Sequence, residues 1–184
     1  MANPLRDRRT AAEWAAGGQV IDIAEKLSFF ERLASVVAED LAALEPAKMP
    51  SRWRNSLVTG SLGFGFLDER QRVPVVRCSV AVTVDAVCQR CLEAFRLPLD
   101  VEAELLLLAM EETAAGYEDH EVWELEENTL RPQDIVEELL IMALPFSAMH
   151  VDLTACKALS AEADEQEDRT KPFAALRAQM NQDQ

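Results

Sequence analysis

Two long alternating runs, separated by the tetrapeptide CQRC, fill residues 73–108 and limit how this chain can fold. In the first run apolar side chains recur at every second position from 76 to 84, and the second run continues the alternation from 95 to 105. Successive side chains of a β-strand point to opposite faces, so each run predicts a strand with one apolar and one solvated face. Because two strands with a short connection are antiparallel, the sequence predicts a long β-hairpin with CQRC at or near its tip.

The two cysteines of this tip, Cys88 and Cys91, carry the clearest chemical potential of the chain. Cysteines with this spacing can bind one metal ion or close one disulfide. A structural zinc ion takes about four ligands, and His150 and Cys156 could supply the other two. A redox role is less favoured, because a redox CxxC usually begins a helix rather than joining two strands. A turn or contact surface without metal is the third interpretation. The remaining cysteine, Cys78, has core parity and is expected to be a small buried hydrophobe.

The charge of the chain bears on the kind of partner it could bind. Acidic residues number 33 against 18 basic residues, which gives a net charge of −15. Nucleic-acid-binding proteins usually carry a basic surface, so a tight direct grip on RNA is disfavoured. A basic protein partner fits better, since opposite charges speed encounter, although acidity also serves solubility alone.

Two surfaces are candidates for binding such a partner. At the hairpin tip the candidate residues are Gln89, Arg90 and Phe95. Near the C-terminus, Phe173 and Leu176 lie at helical spacing in the segment KPFAALRAQM. A short amphipathic segment of this kind can dock on its own core or on a partner.

A first helix is predicted over residues 29–44, where apolar side chains recur at helical spacing. Ser28 precedes Glu31 by three residues, which is the spacing of a capping box. The helix is expected to stop before Pro46, because the residue before proline avoids helical geometry.

A second helix is predicted to begin at Pro132 and to be ended by Pro145, since proline is tolerated in the first helical turn but not in the interior. Its apolar residues fall on one stripe, and Glu137 and Glu138 are expected to face water.

Together these elements predict an α+β fold: a curved antiparallel sheet built on the long central hairpin and covered by two principal helices. Gly60, Gly63 and Gly65 lie within one further predicted strand and indicate a bulge or a bend. The further strands are predicted at residues 19–23, 53–67 and 121–125. The expected organisation is a loosely ordered N-terminus at 1–18, a single α+β domain at 19–158, an acidic linker at 159–170 and a C-terminal amphipathic segment at 171–184.

Signal regions, membrane spans, cysteines and catalytic motifs bear on the compartment of the protein and on whether it is an enzyme. The N-terminal residues show no apolar signal region, and no run of about 18 apolar residues predicts a membrane span. Four cysteines in such a chain indicate reduced thiols in a cytoplasm. Neither histidine belongs to a nucleophile motif or an HExxH motif, so no catalytic residue is predicted and the chain is not expected to be an enzyme.

Several motifs in order resemble the YceD family, which is named for large ribosomal RNA subunit accumulation. They are the alternating run into CQRC followed by Phe95, the helix DIVEELLIMALP, the following His/Cys segment and the terminal KPFAALRAQM. The resemblance implies a small cytoplasmic bacterial protein that is implicated in processing, synthesis or stability of large-subunit rRNA. The family's recurrent CxxC maps onto Cys88 and Cys91. Some relatives carry a further cysteine-rich segment after the Leu-Pro, where this chain has His150 and Cys156.

The resulting hypothesis is a non-enzymatic factor that supports 23S rRNA in ribosome biogenesis. We expect it to act through a basic protein partner, either a ribosomal protein or an rRNA-processing factor, and to reach rRNA indirectly. The hypothesis requires no cofactor, and zinc is the one that the cysteines and His150 could bind. Two alternatives stay open: a metal-dependent ribonuclease acting on precursor rRNA, and a small zinc-binding adaptor.

Overall fold

The computed structural model describes residues 3–68, 72–109, 116–125, 127–152, 154 and 156. The chain divides into two compact units, residues 1–149 and 150–184, and every helix and strand described lies in the first. In chain order these elements are β1 (Arg9–Thr10), α1 (Ala11–Gly17), β2 (Val20–Lys26), α2 (Glu31–Leu41), β3 (Leu57–Phe66), β4 (Pro74–Val87), β5 (Ala94–Ala109), β6 (Glu121–Leu125), β7 (Thr129–Leu130) and α3 (Pro132–Met142). Within these described ranges, no helix has the length and apolarity that crossing a membrane requires.

A five-stranded sheet in the order β2-β3-β4-β5-β6 forms the centre of the first unit. The predicted hairpin is confirmed: β4 and β5 pair antiparallel without interruption from Val75↔Leu106 to Val87↔Ala94, and CQRC lies at the tip. The α+β fold with a curved central sheet is also confirmed. Strand β6, however, pairs parallel to β5, which makes the sheet mixed. Alternation along a strand does not reveal its direction, because an edge strand shows the same pattern in either orientation.

The core lies against the face of the sheet that carries the alternating apolar side chains of the hairpin. Val76, Val80 and Val84 of β4 are buried there, as the alternation predicts, and Cys78 is buried beside them. Helices α2 and α3 cover this face with the stripes Leu33, Val37 and Leu41, and Ile135, Val136, Leu139 and Leu140. Burying each of these leucine or isoleucine side chains contributes about 2 kcal/mol, which explains why two helices of eleven residues can hold the sheet.

Residues 4–17 form a 3₁₀ turn, the short strand β1 and helix α1, in a segment where the sequence predicts no helix or strand. Helix α1 begins with a complete capping box, in which Thr10 accepts from the Glu13 N–H and the Glu13 side chain accepts from the Thr10 N–H. Trp14 is fully buried, and its ring stacks on Phe64 with 5.0 Å between centroids. The helix is hard to recognise in the sequence because its segment, AAEWAAG, contains a single large apolar residue.

Helix α2 does not use the capping box that the sequence predicts. Its N-cap is Phe30, which offers no side-chain oxygen, and Ser28 lies in the preceding 3₁₀ turn. The cap comes from α3 instead: the backbone N–H of Arg32 donates to Oε1 of Glu137 at 3.0 Å. Glu137 is only 2% exposed, so the expectation that it faces water is wrong. The hydrogen bond to an otherwise unpaired helix N–H offsets part of the free energy that burying this carboxyl group costs.

The glycines of β3 do not mark a bulge, because its pairing with both neighbours is uninterrupted. Gly60 adopts φ +151°, and a Cβ built there would clash with the Ser79 carbonyl and lie 2.8 Å from Val80 Cα. The residue is therefore glycine because β4 passes too close for any side chain.

Candidate metal centre

The hairpin tip forms a tight turn that carries both cysteines of the CQRC motif. The Cys88 N–H donates to the Glu93 carbonyl at 2.9 Å, and the Leu92 N–H donates to the Cys88 carbonyl at 2.8 Å. Leu92 adopts the left-handed conformation with φ +57°, which costs a residue with a Cβ about 1–2 kcal/mol. Such strain is characteristic of functional sites that need one particular turn.

A helix residue fixes the strand that leads into this turn. The pairing of β3 with β4 ends at Thr59↔Ala81, so β4 has only β5 as a strand neighbour beyond that point. There the Val87 N–H donates to Oδ2 of Asp40, on α2, at 2.7 Å. A hydrogen bond to a carboxylate contributes about 1.5–3 kcal/mol, and this one positions the residue directly before Cys88.

The residues that follow α3 return to the same turn. The Gln89 N–H donates to the Ala148 carbonyl at 2.8 Å, and Nη2 of Arg90 lies 3.7 Å from Sδ of Met149. Because His150 is the next residue in the chain, these two contacts bring the chain to the tip just before its imidazole.

Within the second unit, His150 and Cys156 approach each other directly. Nδ1 of His150 lies 3.3 Å from Sγ of Cys156. Between them the Thr154 N–H donates to Oδ1 of Asp152 at 2.9 Å. Hydrogen bonds from the backbone and the side chain of Thr154 lower the pKa of the Asp152 carboxyl. The short loop therefore presents one imidazole and one thiol together.

The four predicted ligands are thus brought together. The potential ligand atoms of Cys88, Cys91, His150 and Cys156 all lie within 4.8 Å of one another. With Zn–S bonds of about 2.3 Å, two thiolates of a tetrahedral zinc site are about 3.8 Å apart, so the group has suitable dimensions. Cys88 and Cys156 are buried and the other two are half-buried, which keeps bulk water from one side.

The other candidate residues have different surroundings. Gln89 is exposed, and Arg90 and Phe95 are half-buried near the tip, while Phe173 and Leu176 lie outside the described residues. Cys78 is separate from the cluster in the core, and burial raises the pKa of its thiol to about 12. No sequence pattern pointed to Asp40, because an aspartate on the polar side of a helix is ordinary.

These features define a small α+β protein with a candidate metal site at the tip of its central hairpin. The family model described as Large ribosomal RNA subunit accumulation protein YceD matches residues 76–178, more than half of the 184-residue chain. The chain belongs to the YceD family, as its motifs suggested, and the match includes all four candidate ligands. Family membership implies involvement in accumulation of large-subunit ribosomal RNA. Comparison with curated proteins and with solved structures gave no match.

Proposed function

We propose that this protein is a non-enzymatic, zinc-stabilised adaptor that supports 23S rRNA during ribosome biogenesis by binding a basic protein. Membership of the YceD family supports the link to rRNA accumulation. The net charge of −15 supports a basic partner, such as a ribosomal protein or a processing factor, with rRNA reached indirectly. The adaptor acts in the cytoplasm, where thiols are kept reduced and can bind zinc.

The single observation that carries the zinc proposal is the proximity of three thiols and one imidazole. A Cys₃His set is a recognised structural zinc site, in which four protein ligands fill the tetrahedron and leave no open position for substrate. This donor set favours an adaptor over a ribonuclease, because a metal ribonuclease would use carboxylates around Mg²⁺. Among the residues that the structure describes, the cysteine–histidine group is the one cluster suited to a metal ion.

Metal analysis of the purified protein tests the site. We expect about one zinc ion per chain in the wild type and its loss in Cys88→Ser and Cys156→Ser. Cys78→Ala is the matched control, since Cys78 is a buried cysteine outside the cluster and its removal should leave the zinc content unchanged. A wild-type protein purified without chelators that contains no zinc would refute the proposal.

A pull-down with tagged protein tests the partner. One half of the sample is treated with nuclease, and the proteins and RNA retained are identified by mass spectrometry and sequencing. We expect basic proteins to be retained after nuclease treatment. Loss of all partners together with the RNA would show that the protein binds RNA directly and would overturn the adaptor hypothesis.

The link to rRNA is tested in cells depleted of this protein. The ratio of 23S to 16S rRNA in these cells should fall, and expression of the wild-type chain should restore it.

A further inference from the structure

The three thiols of the candidate metal centre differ in their exposure to solvent. Cys88 is 0% exposed and Cys156 is 6% exposed, whereas Cys91 is half-buried. A small reagent in solvent therefore reaches the cluster most easily at Cys91. Arg90 also places a cation directly before Cys91 in the chain, and a nearby cation favours the thiolate form of a cysteine.

Binding of zinc at this site would itself keep Cys91 as a thiolate, because a cysteine that coordinates a metal ion is deprotonated. The thiolate is the form of cysteine that oxidants attack. This reactivity differs from that of an oxidoreductase, whose CxxC usually lies at a helix N-terminus that lowers the thiol pKa. Here residues 88–91 lie between β4 and β5, so coordination and exposure take the place of the helix.

Cys88 is the thiol best placed to react with an oxidised Cys91. The two Sγ atoms lie within 4.8 Å of each other. Both residues belong to one turn, which is closed by the hydrogen bonds from Leu92 N–H to the Cys88 carbonyl and from Cys88 N–H to the Glu93 carbonyl. Cys156 is equally near but lies in the segment after α3, outside this turn. A disulfide needs its sulfurs about 2 Å apart, which a short side-chain movement within the turn can provide.

We infer that Cys91 is a site of oxidation by hydrogen peroxide and that this reaction releases zinc from the cluster, an inference that rests on the proposed zinc site. The Cys91 thiolate attacks a peroxide oxygen, so that an S–O bond forms and the O–O bond breaks, and the leaving hydroxide takes up a proton to become water. The Cys88 thiolate then attacks the sulfenic sulfur of Cys91, which forms the S–S bond and expels a second hydroxide, again protonated to water. The two cysteines together lose two electrons to the peroxide. Because the disulfide removes two of the four ligands, the zinc ion leaves.

Treating the zinc-loaded full chain with hydrogen peroxide tests the inference. Cys78→Ala serves as the parent protein, because Cys78 lies outside the cluster and would complicate the count of thiols. A chromogenic chelator measures the zinc released, and a thiol reagent measures the thiols that remain. We expect about one zinc ion to be released for every two thiols lost, and a dithiol reductant with added zinc to restore both. Zinc that stays bound, or thiols that do not react, would overturn the inference.

The position of the disulfide is a second measurement, which needs no variant at the site. Trypsin cleaves after Arg90, so Cys88 and Cys91 fall on different peptides, 78–90 and 91–96. After peroxide treatment and blocking of the remaining thiols, we expect mass spectrometry to find these two peptides joined. Cys156 lies on peptide 97–157. A link from peptide 91–96 to that peptide would mean that Cys156 closes the disulfide, against the inference.

Two histidine substitutions in the same parent separate Cys91 from the buried cysteines. Cys91→His and Cys156→His each leave two cysteines and two histidines, which is a recognised structural zinc set. Cys91→His should release zinc to peroxide at least about tenfold more slowly than the parent, because it lacks the accessible thiolate, whereas Cys156→His should stay sensitive. Equal rates in the two variants would mean that Cys91 does not determine the reaction, and the inference would fail.

The zinc proposal and this inference can fail separately. If the purified wild type contains zinc and peroxide does not release it, the zinc site stands and the inference alone fails. If the wild type contains no zinc, the zinc proposal fails, and the inference that depends on it fails as well.

Discussion

At the candidate metal centre, Leu92 adopts a backbone conformation that is unfavourable for a residue with a Cβ. It is 65% exposed, so its side chain gains little from burial, yet it occupies a left-handed conformation that suits glycine. The tip turn closes through the hydrogen bond from the Leu92 N–H to the Cys88 carbonyl, which favours this conformation of Leu92.

Replacing Leu92 with glycine should therefore stabilise the protein by about 0.5 kcal/mol, since relief of strain exceeds the entropy that glycine adds to the unfolded chain. Urea unfolding of the two proteins measures this. Leu92→Ala is the matched control: it keeps a Cβ and the strain, and should show no such gain. An equal gain from alanine would point to the exposed leucine side chain as the cause.

Glu137 gives a prediction in which the sign depends on pH. Burial raises its pKa, so the folded protein holds this proton more tightly than the unfolded chain. Its contribution to stability is thus greatest below the unfolded pKa and is lost as pH rises through the folded pKa. Relative to the wild type, Glu137→Gln should be more stable at about pH 8, where the buried glutamate of the wild type is charged. This gain in stability should disappear at about pH 4.

Glu137→Ala should instead destabilise the protein by about 1 kcal/mol or more at either pH, because the Arg32 N–H at the start of α2 loses its acceptor. Urea unfolding at both pH values compares the three proteins. If glutamine and alanine behaved alike, the hydrogen bond to Arg32 would not be what keeps this side chain buried.

Among the elements, β3 and β4 approach so closely that one position accepts no side chain. Gly60→Ala should destabilise the protein by more than about 2 kcal/mol, because the new Cβ would meet the Ser79 carbonyl and the φ value is unfavourable. Gly65→Ala is the control in the same strand, since a Cβ there meets nothing within 4 Å. Thermal unfolding of both variants tests this, and a similar loss in both would indicate a general need for flexibility in β3.

Helix α2 also determines how firmly the end of β4 is held. Asp40→Ala should speed hydrogen exchange of the Val87 amide and weaken zinc binding, because the acceptor that fixes the strand before Cys88 is lost. Glu39→Ala is a neighbouring exposed control on the same helix. Faster exchange in Asp40→Ala without any change in zinc affinity would separate the strand anchor from the metal site.

At the scale of the whole molecule, periodic patterns in the sequence predicted the main strands and helices, whereas contacts between residues distant in sequence could not be predicted. The alternating runs defined the hairpin and the placement of CQRC, and helical spacing defined α2 and α3. The cap that Glu137 gives to α2 joins residues 105 positions apart, so no local pattern could reveal it. The predicted set of Cys88, Cys91, His150 and Cys156 could be chosen from residue types alone, because few side chains bind zinc.

Zinc should contribute to the stability of the whole chain if it binds at the tip. Removing it with a chelator should lower the unfolding temperature, since a ligand that binds only the folded state stabilises it by mass action. Cys88→Ser should have a lower unfolding temperature than the wild type even without chelator, and the chelator should not lower it further. A wild-type curve that the chelator leaves unchanged would mean that the four side chains hold their places without metal.

The sheet is not closed, and β2 forms one of its edges. An edge strand exposes unpaired backbone groups on which a second molecule could add its own strand and begin aggregation. Along β2 the exposed positions include Asp22 and Lys26, with a half-buried Glu25 between them. Two copies meeting edge to edge would have to bury these charges, which is the usual protection of such edges. The charged side chains along β2 thus keep newly made copies of this protein apart from one another.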